Sequence, residues 1–109
     1  MKELRRTGTF KKWLKKLKDR TGKALILKRI SGLRRGNLGD VGPIGEGVSE
    51  LRIHYGPGYR VYYKDAGMEI ALLLCGGDKD TQHKDIAKAK ELANMPLSEF
   101  EEEMESGDD

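Results

Sequence analysis

The segment Ser49–Tyr63, SELRIHYGPGYRVYY, decides the fold, because it has the residue pattern of a β-hairpin. Apolar and polar residues alternate on both sides of a turn at Gly56–Gly58, and successive side chains of a strand point to opposite faces of the sheet. One face of the hairpin is therefore expected to be apolar. It carries Leu51, Ile53, Tyr55, Tyr59, Val61 and Tyr63.

The opposite face of this hairpin is polar and mostly basic. It carries Glu50, Arg52, His54, Arg60, Tyr62 and Lys64. Two arginines, a histidine and a tyrosine on one surface provide the groups that chemistry on anionic substrates uses, so this face is the candidate site. The same pattern is also typical of the solvated face of an antiparallel sheet, where an arginine pairs with a neighbour such as Glu50.

The length and the single cysteine restrict the class of protein. A chain of 109 residues fits one domain with its own hydrophobic core. Cys75 lies in an apolar run and has no partner for an internal disulfide, which predicts a buried small hydrophobic residue and a reducing compartment. The N-terminus lacks a signal-peptide pattern, and no run of ~18 apolar residues predicts a membrane span. We therefore expect a cytoplasmic protein without a membrane partner.

Neither a metal ion nor a cofactor is expected. The histidines, His54 and His83, and the single cysteine are at spacings unrelated to those of a zinc site. The segment Gly36–Gly47, GNLGDVGPIGEG, lacks the residue order of a phosphate-binding P-loop. We interpret this segment as a mobile loop beside the sheet, in which Asp40 and Glu46 can pair with basic residues.

The formal net charge of +3 conceals an uneven distribution. Residues 1–64 carry 17 Lys and Arg against 5 Asp and Glu, whereas residues 65–109 carry 4 against 13. A basic body with an acidic end favours a polyanionic partner, most often nucleic acid. For the lysines of the first helix, a solubilising helix surface explains the pattern equally well.

The spacing of apolar residues predicts two helices after a first strand at Lys2–Arg6. Thr9 can cap the first helix, whose buried stripe is Phe10, Trp13, Leu14 and Leu17. Gly22 is expected to interrupt the helical pattern, and a second helix is predicted over Lys23–Arg35, with its stop at Gly36. Its stripe is Ile26, Leu27, Ile30 and Leu33. The two helices form an αα-hairpin that must pack on the apolar face of the sheet.

Three strands and a helix complete the expected domain. The strands are predicted at Val48–Tyr55, Tyr59–Lys64 and Glu69–Gly76, and the last is apolar on both faces, as a central strand is. Asp80 or Thr81 can cap the C-terminal helix. The inward-facing residues of this helix are Ile86, Ala89, Leu92 and Ala93. Residues 1–96 are expected to form one α+β domain and residues 97–109 a solvated acidic tail or a short final helix.

This order of elements, with the segments ELRIHYGPGYRVYY and GGDKDTQHKDI, resembles the addiction module killer group of the RelE/HigB superfamily, which are toxins of bacterial toxin–antitoxin systems. The resemblance covers the chain up to about Pro96. It implies a small RelE-like domain in which a curved antiparallel sheet of about four strands packs on the αα-hairpin. It also implies an mRNA interferase, a metal-independent endoribonuclease that often acts on the ribosome and is neutralised by a cognate helix-turn-helix antitoxin.

The resemblance carries over to some residues of this chain. Arg60 matches the strand arginine that RelE-like toxins place against the scissile phosphate, and Lys79 matches a second basic residue after the last strand. The tyrosine that many RelE members use near the C-terminus is missing. His83 and Asp85 lie nearby instead, and HigB-like relatives use histidine and acidic groups in that role.

The chemistry itself defines the roles to be filled. Metal-independent RNA cleavage needs attack of the 2′-OH on its own phosphate, a base, an acid, and fixed positive charge on the phosphorane. The candidates for positive charge are Arg52, Arg60 and Lys79. The candidates for acid and base are His54, His83 and Asp85. The candidates for RNA contacts are Tyr62, Lys64 and Gln82.

The sequence is also compatible with two other functions. A ParE-like toxin binds and inhibits DNA gyrase without catalytic groups, and a basic nucleic-acid-binding domain need not be toxic at all. The cluster of basic residues and a histidine on the sheet favours RNA cleavage, because gyrase binding would not require general acids there.

Overall fold

The structure is a computed structural model that describes residues 1–102, and its fold is α+β. The strands are β1 (Glu3–Arg6), β2 (Val41–Gly45), β3 (Val48–Ile53), β4 (Tyr59–Asp65), β5 (Ile70–Asp78) and β6 (Glu101–Glu102). The helices are α1 (Gly8–Lys16), α2 (Arg20–Arg34) and α3 (Gln82–Leu92), with short 3₁₀ helices at Lys79–Thr81 and Leu97–Glu99.

All six strands of residues 1–102 form one sheet, in the order β2-β3-β4-β5-β1-β6. β1 runs parallel to β5, and the other neighbouring pairs are antiparallel. The expected antiparallel sheet of about four strands is therefore wrong in strand number and in one orientation. The parallel pair arises because the αα-hairpin intervenes between β1 and the rest of the sheet, so the chain can return in the same direction.

The central hairpin pairs as the alternation predicts, with Leu51 opposite Val61 and Arg52 opposite Arg60. Its apolar face packs against α1 and α2 in the larger of two cores. The buried members of this core include Phe10, Leu14, Ile26, Ile30, Leu33, Leu51, Ile53, Tyr59, Val61 and Tyr63. The predicted αα-hairpin on the apolar face of the sheet is thus present. Tyr55, which was expected on this face, lies beyond the end of β3 and is 39% exposed.

The other face of the sheet is not the solvated surface that the alternation suggested. Helix α3 packs on β4 and β5 there and forms a second core with Tyr62, Leu74, Cys75 and Phe100 among its members. Tyr62 is 0% exposed and Arg60 only 7% exposed. The alternation of the hairpin shows that one face is apolar. It contains no information about α3, which comes later in the chain and covers the other face.

The starts of the helices differ from the predicted ones by a few residues. Thr7, not Thr9, caps α1: its Oγ1 accepts a hydrogen bond from Phe10 N at 2.9 Å and donates one to Leu74 O at 2.6 Å. The hydrogen bond to Leu74 O favours Thr7 over Thr9 as the cap, because it attaches the buried Thr7 side chain to β5. Asp19 caps α2, so this helix begins three residues earlier than expected.

Within α2, two predicted details are wrong. Gly22 is a buried residue of the first turn and does not interrupt the helix. Leu27 is 37% exposed and does not belong to the buried stripe, because it lies about 100° around the helix from Ile26. Gly36 ends the helix as predicted and has φ +87°, which favours glycine.

The segment Gly36–Gly47 is structured, not the expected mobile loop. It forms β2, which pairs with β3 through a tight turn in which Glu46 has φ 57°. Arg29 of α2 holds the start of the segment, since its guanidinium donates hydrogen bonds to the carbonyls of Leu38, Asp40 and Arg52. The predicted pairing of the acidic residues with basic ones is confirmed for both: Glu46 lies 3.8 Å from Lys90 Nζ, and Asp40 lies 2.9 Å from Arg52 Nη1.

Strand β5 is central, as its apolar sequence predicts, and it ends in two glycines that admit side chains from both faces. The ring of Trp13 lies against the Gly76 backbone, where a Cβ atom would overlap it. The carboxylate of Asp85 occupies the same position at Gly77 on the opposite face. Burial raises the pKa of the Cys75 thiol to about 12, which agrees with the predicted role as a small hydrophobic residue.

The C-terminal part of the described chain is packed more closely than expected. Thr81, one of the two expected residues, is at the N-cap position of α3, but its side chain makes no capping hydrogen bond there. Asp78 caps the preceding 3₁₀ turn, because its side chain accepts hydrogen bonds from the backbone N–H groups of Asp80 and Thr81. After Pro96, Phe100 is buried and Glu101–Glu102 pair with β1. The expected short helix is present as the 3₁₀ helix Leu97–Glu99, whereas the burial of Phe100 and the strand after it were not expected. The rest of the predicted tail, 103–109, lies outside the described residues. No helix within residues 1–102 is long and apolar enough to cross a membrane.

The close approach at Gly22 yields a test of the packing. In Gly22→Ala, the new Cβ would lie 2.5 Å from a Tyr59 ring carbon and 2.7 Å from Asp19 Oδ2. Overpacking of this kind costs about 1–3 kcal/mol, which outweighs the helix-propensity gain of about 1 kcal/mol. We expect the free energy of unfolding, measured by urea titration, to fall.

Gly8→Ala is the matched control, because a Cβ at Gly8 meets nothing within 4 Å. Its free energy of unfolding should stay within about 0.5 kcal/mol of the wild-type value. Equal stability of the two variants would show that the contact between α2 and Tyr59 is not as tight as described.

Candidate functional site

The site is built around two arginines that lie directly opposite each other, Arg52 on β3 and Arg60 on β4. Both contact Glu50, whose side chain is only 3% exposed. Arg52 Nε lies 3.2 Å from Glu50 Oε1, and Arg60 Nε lies 3.4 Å from Glu50 Oε2. One buried carboxylate therefore holds two guanidinium groups side by side on the α3 face of the sheet.

Glu50 has two further partners, which come from outside β3. Tyr62 Oη donates a hydrogen bond to Glu50 Oε2 at 3.3 Å, and Gln82 Nε2 of α3 donates to the same oxygen at 2.5 Å. Burial and the nearby carboxylates raise the pKa of the Tyr62 phenol, so it stays protonated. A buried carboxylate needs such partners, because an unpaired charge away from water is strongly unfavourable.

Arg60 is buried but not fully satisfied. Its Nη1 donates to the carbonyls of Gly58 and Tyr59 at 3.2 and 3.3 Å. Its Nε makes no hydrogen bond with residues 1–102, because the approach to Glu50 has the distance of an ion pair without hydrogen-bond geometry. The guanidinium therefore keeps an unused donor next to the carboxylate.

Lys79 is the third cation of the site and lies beside Arg60. A Cβ atom built on Gly58 would lie 3.4 Å from Lys79 Cβ and 3.6 Å from Arg60 Nη1, so both residues flank this glycine. Gly58 has φ +82°, which a side chain would strain. Lys79 is exposed, and the structure thus brings together all three cations that the sequence proposed for phosphate contacts.

His54 enters the site through Asp40, a residue of the segment before β2. Asp40 Oδ1 accepts a hydrogen bond from Arg52 Nη1 at 2.9 Å, and Asp40 Oδ2 lies 2.5 Å from His54 Nε2. The hydrogen bonds with His54 and Arg52 hold the pKa of the Asp40 carboxyl below its ordinary value. The His54 side chain is 68% exposed, so solvent or a ligand can reach the ring.

Asp85 and Gln82 of α3 face the sheet from above the arginine pair. Asp85 Oδ2 accepts a hydrogen bond from Thr81 Oγ1 at 2.5 Å and lies against the Gly77 backbone. Gln82 contacts Glu50, as described above, so it is a partner of the buried carboxylate in addition to being an RNA-contact candidate. Asp85 therefore lies beside Gly77, and Gln82 lies beside Glu50, on the buried side of the site.

Three predicted residues are not brought into this cluster. His83 follows Gln82 on α3, is exposed, and makes no hydrogen bond or ion pair with the described residues. Lys64 shares a face with Arg60 but lies four residues further along β4, or about 13 Å. Tyr62 is 0% exposed, so it cannot stack on a base as proposed unless α3 moves.

Sequence reasoning did not identify Glu50 and Asp40 as parts of the site, although it named both as possible ion-pair partners. The signal for Glu50 was present, since the alternation along the strand places Glu50 on the same face as Arg52, two residues away. The role of Asp40 depends on the fold of the segment Gly36–Gly47 and had no local signal. No group of three or more His, Cys, Asp or Glu side chains within residues 1–102 has the arrangement of a metal site.

Comparison with known proteins shows a relationship across most of the chain. An uncharacterized protein of Haemophilus influenzae is 50% identical over 91 residues, which are 84% of this chain and 92% of that protein. No family model and no solved structure matches the chain. The identity and coverage are high enough to show a shared family and therefore a shared fold.

The buried carboxylate is testable through Glu50→Gln. This change removes the charge that Arg52 and Arg60 share while it keeps the shape of the side chain. Breaking a buried ion pair by removal of one partner costs about 3–5 kcal/mol. We expect a loss of this order in the free energy of unfolding, measured by urea titration at neutral pH.

Glu46→Gln applies the same chemical change to an exposed ion pair with Lys90 and serves as the control. Its effect should not exceed about 1 kcal/mol. If Glu50→Gln were no more destabilising than Glu46→Gln, the carboxylate would not organise the arginine pair.

Proposed function

We propose that this protein, which belongs to the same family as the Haemophilus influenzae protein, is the toxin of a toxin–antitoxin system and cuts mRNA without a metal ion. Its fold would then be that of the RelE-like toxins, with two strands added at the sheet edges. The proposal includes action in the cytoplasm, where mRNA and ribosomes are found, and neutralisation by a cognate helix-turn-helix antitoxin.

The observation that carries the proposal is the convergence of Arg52, Arg60 and Lys79 at one end of the β3–β4 hairpin. Guanidinium forks match the oxygens of a phosphate, and two of them held side by side are ordered before the substrate arrives. Such preorganised positive charge is what a developing phosphorane requires. The Nε of Arg60 is buried, makes no hydrogen bond within residues 1–102 and lies 3.4 Å from Glu50 Oε2.

The acid and base would come from the residues around these cations. His54, held by Asp40 at the exposed side of Arg52, is a candidate for the base that takes the 2′-OH proton. Asp85, on the α3 side, is a candidate for the group that orients or protonates the leaving 5′-oxygen. His83 lies outside the cluster and is a weaker candidate than either.

The order of exposure indicates how RNA would approach. His54, Arg52 and Lys79 are accessible in the free protein, whereas Arg60 lies under them, with a 9% exposed side chain. A phosphate would therefore meet the outer cations first and reach Arg60 by replacing its contact with Glu50. Glu50 would keep its contacts with Arg52, Tyr62 and Gln82 in this exchange.

A second function is favoured by one observation, the near-complete burial of Arg60 and Tyr62. Because Arg60 and Tyr62 are buried and paired, their role in this second function would be to stabilise the fold and not to contact RNA. The protein would then be a basic nucleic-acid-binding domain, or a ParE-like toxin that inhibits DNA gyrase by binding. RNA cleavage by the folded wild-type protein separates this possibility from the proposed one.

Arg60→Lys tests the proposed role of the arginine pair. The substitution keeps a positive charge for Glu50 but loses the planar fork, so the fold should be retained while phosphate stabilisation is lost. Removing one preorganised donor lowers a catalytic rate by about 10²–10³-fold. We expect growth inhibition in a bacterial host to disappear, with the circular dichroism spectrum unchanged.

Lys12→Ala, which removes an exposed cation of α1, is the control and should remain as toxic as the wild type. A folded Arg60→Lys protein with full toxicity would rule out Arg60 as the phosphate-binding group.

The chemistry predicts the ends of the RNA products. Attack by the 2′-OH leaves a 2′,3′-cyclic phosphate on one fragment and a 5′-hydroxyl on the other. We expect these ends on mRNA fragments recovered from cells that express the wild-type protein, and not from cells that express Arg60→Lys. Fragments with 5′-phosphate ends would indicate a water-activating mechanism, and the absence of fragments would favour the binding functions.

A further inference from the structure

A cleft of about 480 Å³ lies between α2 and the end of β3, on the exposed side of Arg52. We call it the α2–β3 cleft. Its lining includes Lys28, Arg29 and Arg35 at the α2 side and Arg52, His54 and Tyr55 at the β3 side. The proposed cleavage chemistry uses only Arg52 and His54 of these residues, so the rest of the cleft has no assigned role.

Three cations of the cleft, Lys28, Arg29 and Arg35, contact no carboxylate among residues 1–102, whereas Arg52 and His54 are paired with Asp40. Lys28 makes no ion pair or hydrogen bond with any residue of the described chain, and Arg35 donates only to Ser31 Oγ, at 2.8 Å. Arg29 contacts three backbone carbonyls, which are neutral. Uncompensated cations around a concave surface focus the field and attract anions.

The contacts of Arg29 also make the cleft rigid before a ligand binds. Its guanidinium joins α2 to the carbonyls of Leu38 and Asp40, on either side of the lining residue Gly39, and to the carbonyl of Arg52 on β3. A Cβ atom on Gly39 would lie 2.9 Å from this guanidinium, and Gly39 has φ +66°, so the segment is shaped for the contact. Arg29 is therefore a wall of the cleft and not a free ligand for an anion.

An aromatic ring and an apolar surface complete the lining. Tyr55 is 39% exposed, whereas Tyr59, Tyr62 and Tyr63 are 6% exposed or less. Leu25 and Ile53 line the cleft as well, with Ile53 in the core and Leu25 packed against it. A ring that is accessible on such a surface is a stacking platform for a base, and every base has a face that can use it.

We propose that the α2–β3 cleft binds one nucleotide of single-stranded RNA next to the scissile phosphate, with the base on Tyr55 and the phosphates near Lys28 and Arg35. This proposal rests on the proposed function, since it extends that site along the substrate. The cleft has the volume of a small-molecule site, and its lining includes Arg52 and His54. An acidic peptide would use the cations but would have no use for the exposed ring.

The test measures binding of a fluorescent 12-nucleotide single-stranded RNA with 2′-O-methyl groups, which block attack by the 2′-oxygen and hence cleavage. Lys28→Ala combined with Arg35→Ala should reduce the slope of log Kd against log salt concentration by about 1.4, since each phosphate contact on a single strand contributes about 0.7. Tyr55→Ala should weaken binding about 5- to 150-fold at constant salt.

Two control proteins test whether the loss of any exposed positive charge, or of any exposed apolar side chain, is enough to weaken RNA binding. Lys12→Ala combined with Lys15→Ala removes two exposed cations of α1, and Leu97→Ala removes an exposed apolar side chain that is not part of the cleft lining. Both controls should bind within about twofold of the wild type. Double-stranded RNA of equal length should compete poorly, because its stacked bases cannot reach Tyr55.

Several outcomes would overturn the proposal. If the cleft and α1 variants lost the same amount of affinity, the cations would be a non-specific surface. An unchanged affinity in Tyr55→Ala, or equal competition by double-stranded RNA, would exclude base stacking. Binding of a fluorescent glutamate-rich peptide that depends on the cleft residues, with RNA binding unaffected, would identify an acidic protein partner instead.

The binding assay is independent of cleavage, so the two proposals can fail separately. Cleft-dependent RNA binding without 2′,3′-cyclic phosphate products in cells would reject the nuclease function and keep the cleft. Cleavage by a wild-type protein whose cleft variants bind RNA like the α1 control would reject the cleft and keep the nuclease.

Discussion

The buried carboxylate of Glu50 is the interaction on which the rest of the site depends. It lies between two strands and a helix, and each element contributes a partner: Arg52 from β3, Arg60 from β4 and Gln82 from α3. Because an unpaired buried charge is so unfavourable, these partners must remain in place together. Two like-charged guanidinium groups repel each other. The shared carboxylate offsets this repulsion and keeps them adjacent.

The same interaction explains why the site is partly closed. Gln82 can reach Glu50 only because α3 lies close to the sheet, and the glycines at the end of β5 permit this approach. Gly77 leaves room for Asp85, and Gly76 leaves room for Trp13 on the other side. Of the two glycines, Gly77, which pairs with Arg60, thus permits the close approach of α3 and its polar residues.

Most of the secondary structure and part of the candidate site could be predicted from local patterns. The hairpin, the αα-hairpin and the central strand follow from periodicities of two and 3.6 residues, which the sequence displays directly. The errors occurred where a distant contact decides. Thr7 caps α1 since it also bonds to Leu74, and the segment Gly36–Gly47 forms a strand because β3 and Arg29 hold it. Local sequence contains no signal for either contact.

By itself, the sequence determined which residues share a face of the hairpin, because alternation along a strand is a property of the backbone. It therefore identified Arg52, Arg60 and the polar residues beside them as one group. Only the tertiary structure decided what that group faces: a helix that buries Arg60 and Tyr62, a carboxylate that pairs the arginines, and an open cleft beside Tyr55. Burial and electrostatic environment depend on elements that meet through long-range packing, and no periodicity within one segment records which elements will meet.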